Sequence, residues 1–214
     1  MKKNAMILMI LSLFVSMGYS QSENYEKAMM KNLEKMDAAE SPDDMQNAAN
    51  KFERIAMAEK DQWLPWYYAA YASALKGYMG LGPDQLDQQL DKAQELLDKA
   101  SELDANNDEI EVLQGFIYQA RIQVDPQSRG QQYSMKANAA FAKASQINPD
   151  NPRPDFLIAQ NLLYTPEAFG GGKEAACAKY QSAAEKFANF NPESDIAPNW
   201  GKEMNEQMMN RNCK

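Results

Sequence analysis

The chain has no histidine among its 214 residues. That absence excludes Ser-His-Asp and Cys-His catalysis and every histidine-ligated metal site, leaving only carboxylate, lysine or tyrosine chemistry. Valine, isoleucine and threonine are scarce, and the β-branched and aromatic alternation that marks strands is nearly missing. No long apolar run occurs after the first 21 residues, so no membrane span is expected in the remainder. Basic residues are outnumbered 22 to 30, for a formal charge of −8, a balance that repels nucleic acid and anionic membranes. Cysteine occurs only as Cys177 and Cys213, without the Cys-x-x-Cys spacing that tunes a reactive thiol.

What is present at the start reads as a leader. MKKNAMILMILSLFVSMGYSQ has a basic start at Lys2 and Lys3 and an apolar stretch over 5–15. Small residues at Gly18 and Ser20 suit cleavage before Gln21. A signal peptide over residues 1–20 is expected, and no cysteine follows the run to carry a lipid anchor. The mature chain is then periplasmic or secreted. In an oxidising compartment an even cysteine count predicts a disulfide, Cys177–Cys213.

Helix formers dominate the rest, and one pattern recurs. In KANAAFAKASQINPDNP, Ala137, Phe141 and Ala144 fall on one helical face and Pro149 ends the helix. The spacing returns as Ala93, Leu97 and Ala100, as Ala176, Tyr180 and Ala183, and more weakly as Ala48, Phe52 and Ile55. The leading alanines lie 45, 44 and 39 residues apart, the period of a stacked helical repeat. Each copy alternates with a second helix: DQWLPWYYAAYASAL with Trp66 and Ala70, DEIEVLQGFIYQARI with Gly115 and Tyr118, PRPDFLIAQNLLY with Ala159 and Leu162.

These paired signatures resemble the two helices of a tetratricopeptide repeat. The Pro-x2-Phe-Gly-Gly turn at 166–171 resembles one found in exported bacterial proteins of that family, of the Bacteroidetes type. The resemblance implies an all-α, right-handed superhelical solenoid of about four helical hairpins. The repeats would run over about 23–60, 63–105, 108–149 and 152–190, with a C-terminal cap at 195–214 anchored by Trp200. These units exceed the usual length of about 34 residues. The surplus is expected in loops around 77–83, 124–131 and 165–172, or in longer helices, notably 84–103. Helices are expected near 23–40, 43–59, 62–79, 84–103, 107–123, 129–147, 153–164, 172–189 and 196–211.

Candidate binding residues follow from the face that lines the concave groove in such solenoids. Tyr67 and Tyr71 fall there in the first aromatic helix, Phe116 and Gln119 in the next, and Gln160 and Tyr164 in the third. Arg121 or Arg153 would add a carboxylate contact. A groove of Tyr, Phe and Gln suits an extended peptide through stacking and amide hydrogen bonds. The resemblance therefore implies a non-enzymatic protein- or peptide-binding scaffold. The alternative is a solute- or small-ligand-binding accessory to a transport system. No cofactor or metal site is read. GGGKE at 170–174 lacks the strand and the Gly-Lys-Ser/Thr of a phosphate loop, and the Asp/Asn-rich turns at 104–111 and 148–155 lack the glycine and closing glutamate of a calcium loop.

Overall fold

The computed structural model describes residues 23–213, so the leader lies outside the described residues. The described chain is all-α. Its helices are α1 (23–37), α2 (Pro42–Ala58), α3 (Leu64–Lys76), α4 (Pro83–Leu103), α5 (Asp108–Ile122), α6 (Pro126–Ile147), α7 (Arg153–Tyr164), α8 (Lys173–Asn189) and α9 (Lys202–Asn212).

Local chemistry sets most helix starts. Ser41, Asn107 and Asp125 accept backbone N–H bonds from the first turns of α2, α5 and α6. Proline stands in the first turn of α2, α4 and α6, where its missing N–H costs nothing. The cap at Asp125 corrects one expectation. Much of the 124–131 stretch, read as loop, is the start of α6, because Pro126 opens that helix rather than ending one. The surplus length of that unit and of α4 therefore lies in helices of 22 and 21 residues.

The repeated small-aromatic-small faces are buried. Ala93, Leu97 and Ala100 of α4, Ala137, Phe141 and Ala144 of α6, and Ala176, Tyr180 and Ala183 of α8 all lie inside. Phe141 has a specific seat. Its ring lies against Gly115 of α5, where a Cβ would come within 2.1 Å of it. Only glycine lets α5 approach α6 so closely. Successive helices contact one another, and α3 also touches α5, which touches α7. Two apolar clusters result, one centred on α2–α5 and one on α5–α8, and Phe116 and Trp200 pack against both.

The C-terminal segment departs from expectation. A helix over 196–211 is predicted, but α9 begins only at Lys202. Residues 190–201 form a strap without regular structure, because Pro192 and Pro198 interrupt helical bonding and Gly201 turns the chain at φ 104°. A side chain at Gly201 would press on Phe187, at 3.0 Å, besides being strained at that φ. Beyond the strap, α9 packs on α8. Buried Asn205 donates to the Tyr180 carbonyl at 3.1 Å, and Cys177–Cys213 joins the two helices covalently.

Candidate functional site

The strap lies over the N-terminal ends of α3, α5 and α7, and three polar pins hold it. The Tyr68 hydroxyl donates to the Ile196 carbonyl at 3.0 Å. The Arg153 guanidinium donates to the Pro198 carbonyl. The Trp200 indole N–H donates to the Tyr67 hydroxyl at 2.9 Å, and its ring stacks on Tyr71 with centroids 5.0 Å apart. Burial pushes the phenol pKa values of Tyr67, Tyr68 and Tyr71 upward, so all three stay neutral hydrogen-bonding groups.

Beneath the strap is a buried ion pair. Arg153 is 0% exposed, and its Nη1 donates to Glu109 Oε1 at 2.7 Å. Asn151 Nδ2 donates to the same oxygen and to Asp108, each at 2.8 Å. The guanidinium also lies over the rings of Phe190 and Trp200, at 4.7 and 5.3 Å. Desolvation raises the Glu109 pKa to about 7, with Arg153 the main opposing influence. The Tyr67 hydroxyl also favours the carboxylate, although Glu109 Oε2 has no hydrogen bond of ordinary geometry.

This arrangement relocates the residues singled out from the sequence. Tyr67 and Tyr71 do not line an open groove, because Trp200 and the strap cover them. Arg153 is a structural cation held below the strap through Nη1 and Nη2, its Nε buried without a partner, and offers no free carboxylate contact. Gln119 is buried and donates to the Leu157 carbonyl at 2.6 Å and to Asn161 Oδ1 at 2.9 Å. Phe116 and Gln160 remain half-buried, and Tyr164 is 83% exposed.

What stays accessible is an aromatic and thioether strip beside the strap. Tyr78, 49% exposed, meets Phe116 with ring centroids 5.6 Å apart. Phe116 meets Trp200 at 6.2 Å. Gln160 reaches the thioether of Met204, itself 50% exposed, at 3.9 Å. The three rings link the turn after α3 to α5 and the strap, and the Gln160–Met204 contact links α7 to α9. Sequence reading placed Phe116 and Gln160 in the strip but missed the other three. Tyr78 had a signal in the run of six aromatics over 63–78, and Met204 in MNEQMMNR. Trp200 was placed on the last repeat rather than against α3 and α5.

A cavity of about 880 Å³ lies where the α4–α5 and α6–α7 turns and the end of α8 meet the strap. Asp104, Asp108, Glu109, Asp150, Glu185 and Glu193 line it against a single cation, Lys186. That lining disfavours an anionic ligand. Among the described residues, no grouping of Cys, Asp and Glu is arranged to hold a metal ion.

No family model matches the chain, and no curated protein matches it. Among solved structures it is similar to the HusA haemophore from Porphyromonas gingivalis, with 33% identical residues and a TM-score of 0.78. The match covers 86% of this chain and 90% of that one. Likeness at that identity over nearly the full length of both proteins is a likeness of sequence as well as of fold, and the chain belongs to the family of the HusA haemophore.

Proposed function

We propose that this protein is a non-enzymatic haem-binding protein that works outside the cytoplasm. The observation that carries the reading is the near-complete match to a haemophore. The small-ligand reading thereby moves ahead of the peptide scaffold, whose groove would need Tyr67 and Tyr71 in the open, where the strap does not leave them. The disulfide fits an oxidising compartment.

The residues present suit a flat aromatic ligand. Tyr78, Phe116 and Trp200 offer stacking faces, and Gln160 and Met204 close the strip on its other side. Haem brings an iron that accepts axial ligands. With no histidine in the chain, a tyrosine phenolate or a methionine thioether is the available donor. Among the exposed tyrosines and methionines, Tyr78 and Met204 belong to the strip and Tyr164 ends the same helix as Gln160, which makes these three the candidates. The tetratricopeptide-like organisation belongs to the same proposal: repeats at about 23–60, 63–105, 108–149 and 152–190 with a cap at 195–214. Contacts between successive helices and along α3, α5 and α7 support it.

The test is a titration of residues 21–214 with haemin, followed in the Soret band. A saturable spectral change is expected. It should weaken roughly tenfold or more in Tyr78→Ala/Met204→Ala, whose exposed positions leave the fold intact. No saturable binding by the native chain would overturn the function. Native-like affinity in the variant would move the site off the strip.

A further inference from the structure

The buried pair beneath the strap is not fully satisfied. Glu109 Oε1 takes the bonds from Arg153 and Asn151, while its Oε2 is buried without a donor. On the other side of the pair, Arg153 Nε is buried without an acceptor. A neutral carboxyl group tolerates such a site better than a carboxylate, whose second oxygen needs a donor of its own. The strap closes over the pair, with the Pro198 carbonyl and the rings of Phe190 and Trp200 on the Arg153 guanidinium.

The strap has little structure of its own. Among the described residues one backbone hydrogen bond is internal to it, from the Ala197 N–H to the Ser194 carbonyl. Its hold on the helices is the three polar pins, the buried Ile196 side chain and the Trp200 stack. Charge around Glu109 is also unbalanced. Arg153 faces it from α7, Asp108 from its own helix, and the phenols of Tyr67, Tyr68 and Tyr71, neutral throughout, from α3. Around the cavity that Glu109 lines stand Asp104 and Asp150 on the turns, Glu185 and Lys186 on α8, and Glu193 on the strap. Lys186 is engaged by Asp155. A negative charge on Glu109 therefore meets one close cation and several acids, one of which the strap carries.

We propose that the strap is a pH-dependent latch, closed over a protonated Glu109 and released when that group ionises. Loss of the proton to water leaves a carboxylate oxygen without a donor in a buried site. Lifting the strap hydrates that oxygen and carries Glu193 away from it. Burial holds the Glu109 pKa at about 7 in the closed form, against an ordinary value of 4.5 once water enters. The closed form binds the proton more tightly, so its advantage is complete below about 4.5 and is lost as the pH rises through about 7. Release moves Trp200, which stacks on Tyr71 and forms one end of the aromatic strip, so the latch regulates that surface. It does not rest on the haem reading, because the buried pair and the strap need no ligand.

The experiment follows deuterium exchange of the Trp200 indole N–H, which donates to the Tyr67 hydroxyl, by NMR on residues 21–214. Glu109→Gln is measured beside the native chain at about pH 5 and pH 8, so that the intrinsic pH dependence of exchange cancels. Relative to the variant, protection of the native indole should fall roughly tenfold or more between the two. The change with pH is what is compared, so a constant offset from altered packing in the variant leaves the test intact. Backbone amides of α6 in the same spectra report unfolding of the whole chain, and Trp200 should be less protected than they are. An equal change in native and variant would overturn control by Glu109. Protection of Trp200 equal to that of α6 would overturn a separate opening of the strap, and an unprotected indole at the lower pH would overturn the closed state.

Discussion

At the N-terminal ends of α3, α5 and α7, aromatic and charged side chains are closed under the strap, whereas toward the C-terminal ends residues of the same types stand in water. Tyr67 and Arg153 belong to the first region and Tyr78 and Tyr164 to the second. The helices do not differ in composition enough to explain this. The difference is made by residues 190–201, which bring an indole and two backbone carbonyls to the closed end. Closing that end requires a buried cation, because the carbonyl of Pro198 and the carboxylate of Glu109 both need a donor out of reach of water. The open end needs no such compensation, and it is where a flat ligand can stack.

The comparison breaks most completely if its cation is removed. Arg153→Met should destabilise the fold by about 3–5 kcal/mol in chemical denaturation, because it leaves Glu109 and the Pro198 carbonyl without their donor. The loss should be smaller at pH 5 than at pH 8, where Glu109 would have to stay charged. A cost that does not change with pH would mean that Glu109 is not the group left stranded.

Next in size is the covalent tie behind the strap. Cys177 and Cys213 are 36 residues apart, and replacing both by serine should cost up to roughly 4 kcal/mol. Hydrogen exchange should quicken first in α9. Uniform acceleration over α1–α4 as well would show that α9 is not a separable unit.

Opening the closed end selectively is the sharper experiment. Trp200→Ala removes the stack on Tyr71 and the bond to Tyr67, and should cost about 2–3 kcal/mol for a half-buried indole. Tyrosine fluorescence quenching by a soluble quencher should rise. If it does not, some other part of the strap is what seals Tyr67 and Tyr71.

The smallest effect is a slope. Glu109 holds its proton more tightly in the folded chain, at about 7, than at the ordinary value of 4.5. Its contribution to stability is therefore complete below about 4.5 and is lost as the pH rises through about 7. Stability measured by denaturant should decline over that window, and Glu109→Gln should flatten the decline. An unchanged slope in the variant would assign the titration elsewhere.

Much of the helical frame was legible because burial on one face imposes a 3.6-residue rhythm. Ala137, Phe141 and Ala144 announced their helix and its packing face without any knowledge of Gly115. Punctuation was harder. Pro126 is compatible with a loop or with a first helical turn, and only the Asp125 cap distinguishes them. Pro192 and Pro198 should have argued against a helix from 196, and the strap they create was missed. The candidate site was read in part. Phe116, Gln160 and Tyr164 retain exposed surface, while Tyr67, Tyr71, Gln119 and Arg153 turned inward.

The sequence by itself determined an all-helical chain, the faces its helices bury, the exclusion of histidine chemistry and the pairing of its only two cysteines. These follow from composition and from contacts whose periodicity lies within one helix. Which aromatics are open was decided by the tertiary structure alone. Tyr67 and Trp200 are 133 residues apart, and Arg153 meets Glu109 and Pro198 across separations of 44 and 45. No local pattern encodes such a meeting. A polar side chain is buried only where a distant partner arrives to satisfy it, and that arrival is a property of the folded chain.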